Sequence, residues 1–203
     1  MGRDVLIRYR PVNRAVMLAP DLEITRQQAG KVGKVVQCRP ADAPEIGHRS
    51  VAFVLARAGI PYTFDEVRDL VAHIERLRPF SEVPEALARL QTLYPLVVLS
   101  NGDPDMLETA KRYHGIPFDR VISVAGANAF KPHIATYTKA AEIVGVRMDE
   151  VLFIANHAFD CIGAKSAGMR TAFIDRRRRP FGITPHQPDL IVPTMTDLAD
   201  LFV

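Results

Sequence analysis

Apolar residues in this chain follow two alternating patterns. Continuous runs at Leu96-Val97-Val98-Leu99, Val151-Leu152-Phe153-Ile154-Ala155 and Thr171-Ala172-Phe173-Ile174 alternate with stretches where apolar residues return every three or four positions. The first pattern predicts strands buried on both faces, the second amphipathic helices. The run at 96–99 passes into Ser100-Asn101-Gly102-Asp103. Pro104 then stands where a helix takes its first residue, with Asp103 as N-cap. That helix extends to about His114, with Gly115 as its C-cap. Arg120-Val121-Ile122-Ser123-Val124 predicts another strand, and Phe130-Lys131-Pro132 precedes a helix carrying Ile134, Tyr137, Ala141 and Val144. The 151–155 run opens into Asn156-His157-Ala158-Phe159-Asp160, then a helix with Gly163 and Ala164 that stops at Gly168. Leu190-Ile191-Val192 is read as the last strand, before a helix to Leu201. Strands alternating with helices predict a parallel, three-layered α/β domain.

The earlier part of the chain has a different rhythm. Val51, Val54, Leu55 and Ala58 recur at helical spacing, and Gly59 ends the run. Thr63-Phe64-Asp65-Glu66 is a capping-box signature. Val67, Leu70, Val71, Ile74 and Leu77 follow as one apolar stripe, predicting a small helical subdomain that Arg78-Pro79-Phe80 closes. Ser81 then caps a helix with Val83, Leu87 and Leu90 inward. Residues 1–45 carry weaker signals. Val5-Leu6-Ile7 and Val16-Met17-Leu18 suit either a strand or a helix turn, and Arg39-Pro40 to Pro44 reads as a loop.

Length and composition narrow the class. The 203 residues suffice for one core with a small insert, and 48% hydrophobic with 24% charged residues is ordinary for a globular chain. The net charge of +3 is too small to argue nucleic-acid binding and suits a small anion. Arg3, Arg8, Arg10 and Arg14 read as a solvated terminus rather than a nucleic-acid arm. Arg176-Arg177-Arg178-Arg179 reads as a solvated loop near the ligand-binding edge. Cys38 and Cys161 lie too far apart in sequence for a disulfide framework or a zinc pattern, so a cytoplasmic setting is expected. No run approaches membrane-spanning length, so no membrane partner is expected.

The strand ends carry the candidate chemistry. Ser100 and Asn101 follow one strand, Lys131 stands between Phe130 and Pro132, and Asn156, His157 and Asp160 follow another. In an open α/β sheet such ends share one edge. A hydroxyl, an ammonium and a carboxylate there can hold an anion and steady a developing charge. Taken singly, each has a structural reading: Ser100 as a cap, Lys131 as a surface lysine, His157 as a packed polar residue, Asp160 as a helix-start acid.

Leu99-Ser100-Asn101-Gly102, Phe130-Lys131-Pro132 with Tyr137 six residues beyond the lysine, and Phe153 through Asp160 with Gly163-Ala164 resemble the haloacid dehalogenase superfamily. Ser-Asn-Gly-Asp-Pro-Asp-Met-Leu at 100–107, His157-Ala158-Phe159-Asp160 and Ile174-Asp175-Arg176 bring the likeness nearest to its (S)-2-haloacid dehalogenases, or type II enzymes. The match covers about residues 46–182. The resemblance implies a Rossmann-like core with a helical cap: residues 1–19 unassigned, 20–78 cap, 79–203 core. It implies hydrolysis of a 2-haloacid through an aspartyl ester, with inversion at C2 and no cofactor. It also implies roles. Ser100 and Asn101 would hold the substrate carboxylate, and Lys131 would neutralise the nucleophile. Asp160 would orient Lys131 and the hydrolytic water, Tyr137 would support the pocket, and His157 would help place the water. A homodimer is a further implication.

The strand end that carries the family's nucleophile departs from the pattern. The motif Asp-x-x-Gly-Thr is absent. Asp21-Leu22-Glu23-Ile24-Thr25 keeps the Asp and the Thr but not the glycine, and Pro20 precedes the Asp. Two arrangements follow: the first strand is absent or replaced, which spacing favours, or Asp21 serves as nucleophile. Arg26 is the cap-arginine candidate for receiving the halide. A magnesium phosphatase of the same superfamily and an inactive or truncated paralogue stand as alternatives. The single acid at the 155–160 strand end suits a metal-free reaction better than magnesium chemistry.

Overall fold

The computed structural model describes residues 15–18 and 43–203. Six strands form one parallel sheet: β1 (Ala15–Leu18), β2 (Leu96–Ser100), β3 (Arg120–Ser123), β4 (Val151–Ala155), β5 (Arg170–Ile174) and β6 (Leu190–Val192), in the spatial order β3-β2-β1-β4-β5-β6. The switch in direction lies at β1. Met17 is in register with Val97 on one side and Phe153 on the other. Ligands of open α/β sheets collect at the carboxyl ends of the strands beside such a switch.

Of the expected alternatives, a first strand absent or replaced, absence is corrected. Ala15–Leu18 fills the central slot, and Met17 is completely buried. Four residues carry too little pattern to be read alone. Their conformation is set by backbone pairing to β2 and β4 on both sides.

Helices cover both faces, and strand alternation decides which residues meet them. Met17, Val97, Leu99 and Phe153 face α5 (Ile134–Val144) and α6 (Ala158–Ser166), where Tyr137, Ala140, Ala141, Cys161 and Ala164 complete the packing. Leu96, Leu152, Ile154 and Ile174 face α3 (Val83–Gln91) and α7 (Met195–Ala199), through Ala86, Leu87, Leu90, Met195 and Leu198. The remaining helices are α1 (Ala43–Arg57), α2 (Phe64–Ala72) and α4 (Pro104–His114). Asp103 caps α4 by accepting from the Met106 N–H, and Gly115 ends it at φ +64°, a conformation that favours glycine.

α1 packs on α2, and the 3₁₀ turn His73–Arg76 packs on α4. The Thr63–Glu66 capping box is present in both directions. Three local expectations are corrected. α1 begins at Ala43, so Pro44 lies in a first helical turn, where its missing N–H is no loss. The stripe after the capping box breaks at Ala72. Val67 and Val71 are buried, but the 3₁₀ turn carries the chain off the helix, and Leu70 and Leu77 are exposed. The N-cap of α3 is Glu82, not Ser81, and its side chain makes no capping bond. That carboxylate is engaged elsewhere, as described below. Among the described residues, no helix is long and apolar enough to cross a membrane.

Candidate active site

The residues singled out at three strand ends meet at one rim of the sheet. Ser100 is the last residue of β2 and is buried. Its Oγ accepts from the Gly102 N–H at 3.0 Å, tightening the turn into α4. Asn101 follows with the opposite facing. Its Oδ1 accepts from the Lys131 backbone N–H at 2.8 Å, tying the strand end to the segment that enters α5. Ser123, at the end of β3, donates its Oγ–H to Gly102 O at 2.7 Å. The turn after β2 is thus held from two sides.

Lys131 precedes a cis bond to Pro132. Its Nζ lies 3.2 Å from Asp160 Oδ1, and each side chain is only 4% exposed. The approach is an ion pair without the geometry of a directed hydrogen bond at Oδ1. The ammonium also lies 5.8 Å from the Phe153 ring centroid, on the ring of a core residue of β4. Removing two charges from water is costly, and only a close opposite charge offsets it.

Asp160 sits in the first turn of α6, one of the positions where the helix dipole favours a carboxylate. Tyr137 reaches it from α5, its hydroxyl donating to Asp160 O at 3.2 Å. Burial, then the neighbouring Asp160 and Cys161, push the Tyr137 phenol above its ordinary pKa. It stays protonated as a donor. α6 can come this close only because residue 163 is glycine. A Cβ there would stand 2.5 Å from the Tyr137 hydroxyl and 2.7 Å from Pro132 Cβ. His157 is the N-cap residue of α6 but gives no side-chain cap bond. Its ring lies 5.5 Å from that of Phe159.

A cavity of about 270 Å³ opens between α4, the segment 77–80 and the sheet. It reaches the rim at Ser100, Ala155 and Asn156, with walls that include Phe80, Leu107 and Ile154. Neither Lys131 nor Asp160 lines it. The strand alternation explains why: Ser100 shares the α3 and α4 side with Val98, while Asn101 turns toward α5. Among the described residues, no group of three or more His, Cys, Asp or Glu is placed to hold a metal ion.

The structure therefore links Asn101, Lys131, Asp160 and Tyr137 through two hydrogen bonds and an ion pair, with Ser100 at the end of β2 and His157 just beyond the end of β4. Asp21 and Arg26 lie outside the described residues. Sequence reading did not single out Ser123 or Phe153 as site residues. A serine closing a β-strand beside the rim was the available signal for the first. A core phenylalanine beneath a lysine gives none.

A family model of haloacid dehalogenase-like hydrolases matches residues 15–168, and the chain belongs to that family. It is 35% identical over 140 residues to (S)-2-haloacid dehalogenase of Xanthobacter autotrophicus, covering 68% of this chain and 55% of that protein. It is 32% identical over 130 residues to the (S)-2-haloacid dehalogenase of Pseudomonas sp. strain YL, covering 63% and 56%. The chain thus spans little more than half the length of the curated relatives it matches. Among solved structures, L-2-haloacid dehalogenase from Xanthobacter autotrophicus with chloropropionic acid covalently bound superposes with a TM-score of 0.74 at 25% identity, over 93% of this chain and 97% of that one.

Proposed function

We propose that this chain hydrolyses small (S)-2-haloacids to (R)-2-hydroxyacids. The observation that carries the reading is the buried Lys131–Asp160 pair at the rim where Ser100 and Asn101 end β2. In this reading Ser100 and Asn101 hold the substrate carboxylate. A carboxylate attacks C2, forming a C–O bond as the carbon–halogen bond breaks, and the halide leaves with the bonding electrons. Water then attacks the ester carbonyl and releases the hydroxyacid, inverted at C2. Lys131 offsets the negative charge gathered by nucleophile and substrate. Asp160 keeps Lys131 in place, Tyr137 fixes the start of α6, and His157 helps place the water.

Asp21 is the nucleophile in this proposal. It stands three residues after Leu18 in sequence, the last residue of β1. Arg26, five residues on, is the proposed acceptor of the halide. The same reading makes the protein a cytoplasmic enzyme with a small anionic substrate, working as a homodimer.

The test is chloride release from (S)-2-chloropropionate by the wild-type chain, Asp21→Asn and Lys131→Ala. Release by the wild type, with (R)-lactate formed and both variants inactive, is expected. No release by the wild type would overturn the reading. Undiminished release by Asp21→Asn would remove Asp21 from the mechanism.

A further inference from the structure

The chain returns from α2 to the core through residues 77–82, and Arg176 grips this segment at two points. Arg176 Nη1 donates to Glu82 Oε1 at 2.5 Å, and its guanidinium carbon lies 4.1 Å from the centroid of the Phe80 ring. The arginine side chain is 15% exposed, and its Nε is buried with no hydrogen-bond partner. A planar cation that stacks on a ring while it binds a carboxylate is a task for arginine rather than lysine.

The grip has a fixed base. Asp175 N–H donates to Val192 O at 2.8 Å, and Asp175 Oδ1 accepts from Arg179 N–H at 2.9 Å, so the turn after β5 is tied to β6 and to itself. The other end is less well held. Leu77 and Phe80 are about half exposed, and α3 begins without a side-chain cap. Phe80 and Arg176 also line the cavity that reaches Ser100 and Asn156. The run of four arginines therefore divides. Arg176 turns inward against the return segment, while Arg178 and Arg179 are exposed.

We propose that Arg176 is a positioning residue, a latch that sets where residues 77–82 stand as the wall of the cavity beside the site. The functional part rests on the dehalogenase reading above; the mechanical part does not. Loss of the latch loosens the wall and weakens substrate capture, while the reacting groups on β2, α5 and α6 stay in place.

Hydrogen exchange and kinetics on the full chain test this with Arg176→Gln, Arg176→Lys and Glu82→Gln. Amides of residues 77–83 should exchange about tenfold faster in Arg176→Gln and Glu82→Gln, as expected for loss of a half-buried ion pair and a ring contact, with β2 and β4 unchanged. Arg176→Lys should fall between. KM for (S)-2-chloropropionate should rise about fivefold or more in Arg176→Gln, with kcat within about twofold. Unchanged exchange at 77–83, or faster exchange spread evenly through the sheet, would overturn the latch. An unchanged KM with faster local exchange would overturn its role in capture. If the wild type releases no chloride, the dehalogenase reading fails and exchange still decides the latch. If Arg176→Gln does not fold, Glu82→Gln carries the same test.

Discussion

Lys131 and Asp160 should behave as one energetic unit. The perturbation is a cycle of Lys131→Met, Asp160→Asn and the double variant. Each side chain is 4% exposed and the charges stand 3.2 Å apart, so either single change leaves the other charge buried without its counterpart. Breaking a buried pair in this way costs about 3–5 kcal/mol. The double variant leaves no net charge at the site. Its loss should be nearer to one single change than to the sum of two, giving a coupling of at least about 2 kcal/mol. The tie from Asn101 runs through the Lys131 backbone N–H, so the lysine substitution leaves that bond in place. The chain has no tryptophan, and urea unfolding is best followed by far-ultraviolet circular dichroism. With a slope of about 2 kcal/mol/M, a single variant should lower the midpoint by about 1.5–2.5 M. A shift under about 0.5 M for Lys131→Met would refute the burial argument, and a double variant equal to the sum of the singles would refute the coupling.

Gly163→Ala should lower stability by about 2–3 kcal/mol, because the new methyl meets Pro132 Cβ and the Tyr137 hydroxyl well inside contact distance; a midpoint unchanged in urea would show that α6 can shift freely. His114 should make stability fall with acidity. Burial holds its imidazole below the ordinary value of 6.5, so the unfolded chain binds the proton first, and stability present above pH 6.5 is lost as pH falls toward the folded value. His114→Gln should flatten the slope of unfolding free energy between about pH 7 and pH 5, and an unchanged slope would assign it to other groups.

What the sequence made legible was what local pattern alone can specify. β2, β4 and β5 are runs buried on both faces, and Asp103, Thr63 and Gly115 announce helix ends through their own hydrogen-bonding and backbone chemistry. β1 was not legible in the same way. Ala15–Leu18 becomes a strand because β2 and β4 offer it two ladders, and neither partner is adjacent in sequence. Glu82 was hidden for a similar reason. Its carboxylate answers to Arg176, ninety-four residues away, and not to the helix it begins. Placement after strands put Lys131 and Asp160 at one edge, and their pairing was an implication of the family resemblance. The sheet order makes it real, because β3 and β4 are separated by β2 and β1 and yet send their following segments to one face.

Two neighbours, Ser100 and Asn101, give the proposed anion role of this rim a physical basis. Each has already given an acceptor to the backbone. Ser100 Oγ takes the Gly102 N–H, and Asn101 Oδ1 takes the Lys131 N–H. The second bond also fixes which way the amide faces, since only the oxygen can receive a backbone N–H. What each side chain has left to offer is a donor: the serine hydroxyl proton and the asparagine NH₂. The nearest buried cation, Lys131, is committed to Asp160 in a pair with little room to move. In the proposed reading, an anion at this rim is held by neutral donors, with the balanced pair beside Asn101. A second negative group brought to the same rim would draw on the lysine's charge without displacing Asp160. In the proposed reading, this is the charge balance needed for one carboxylate to attack a molecule carrying another.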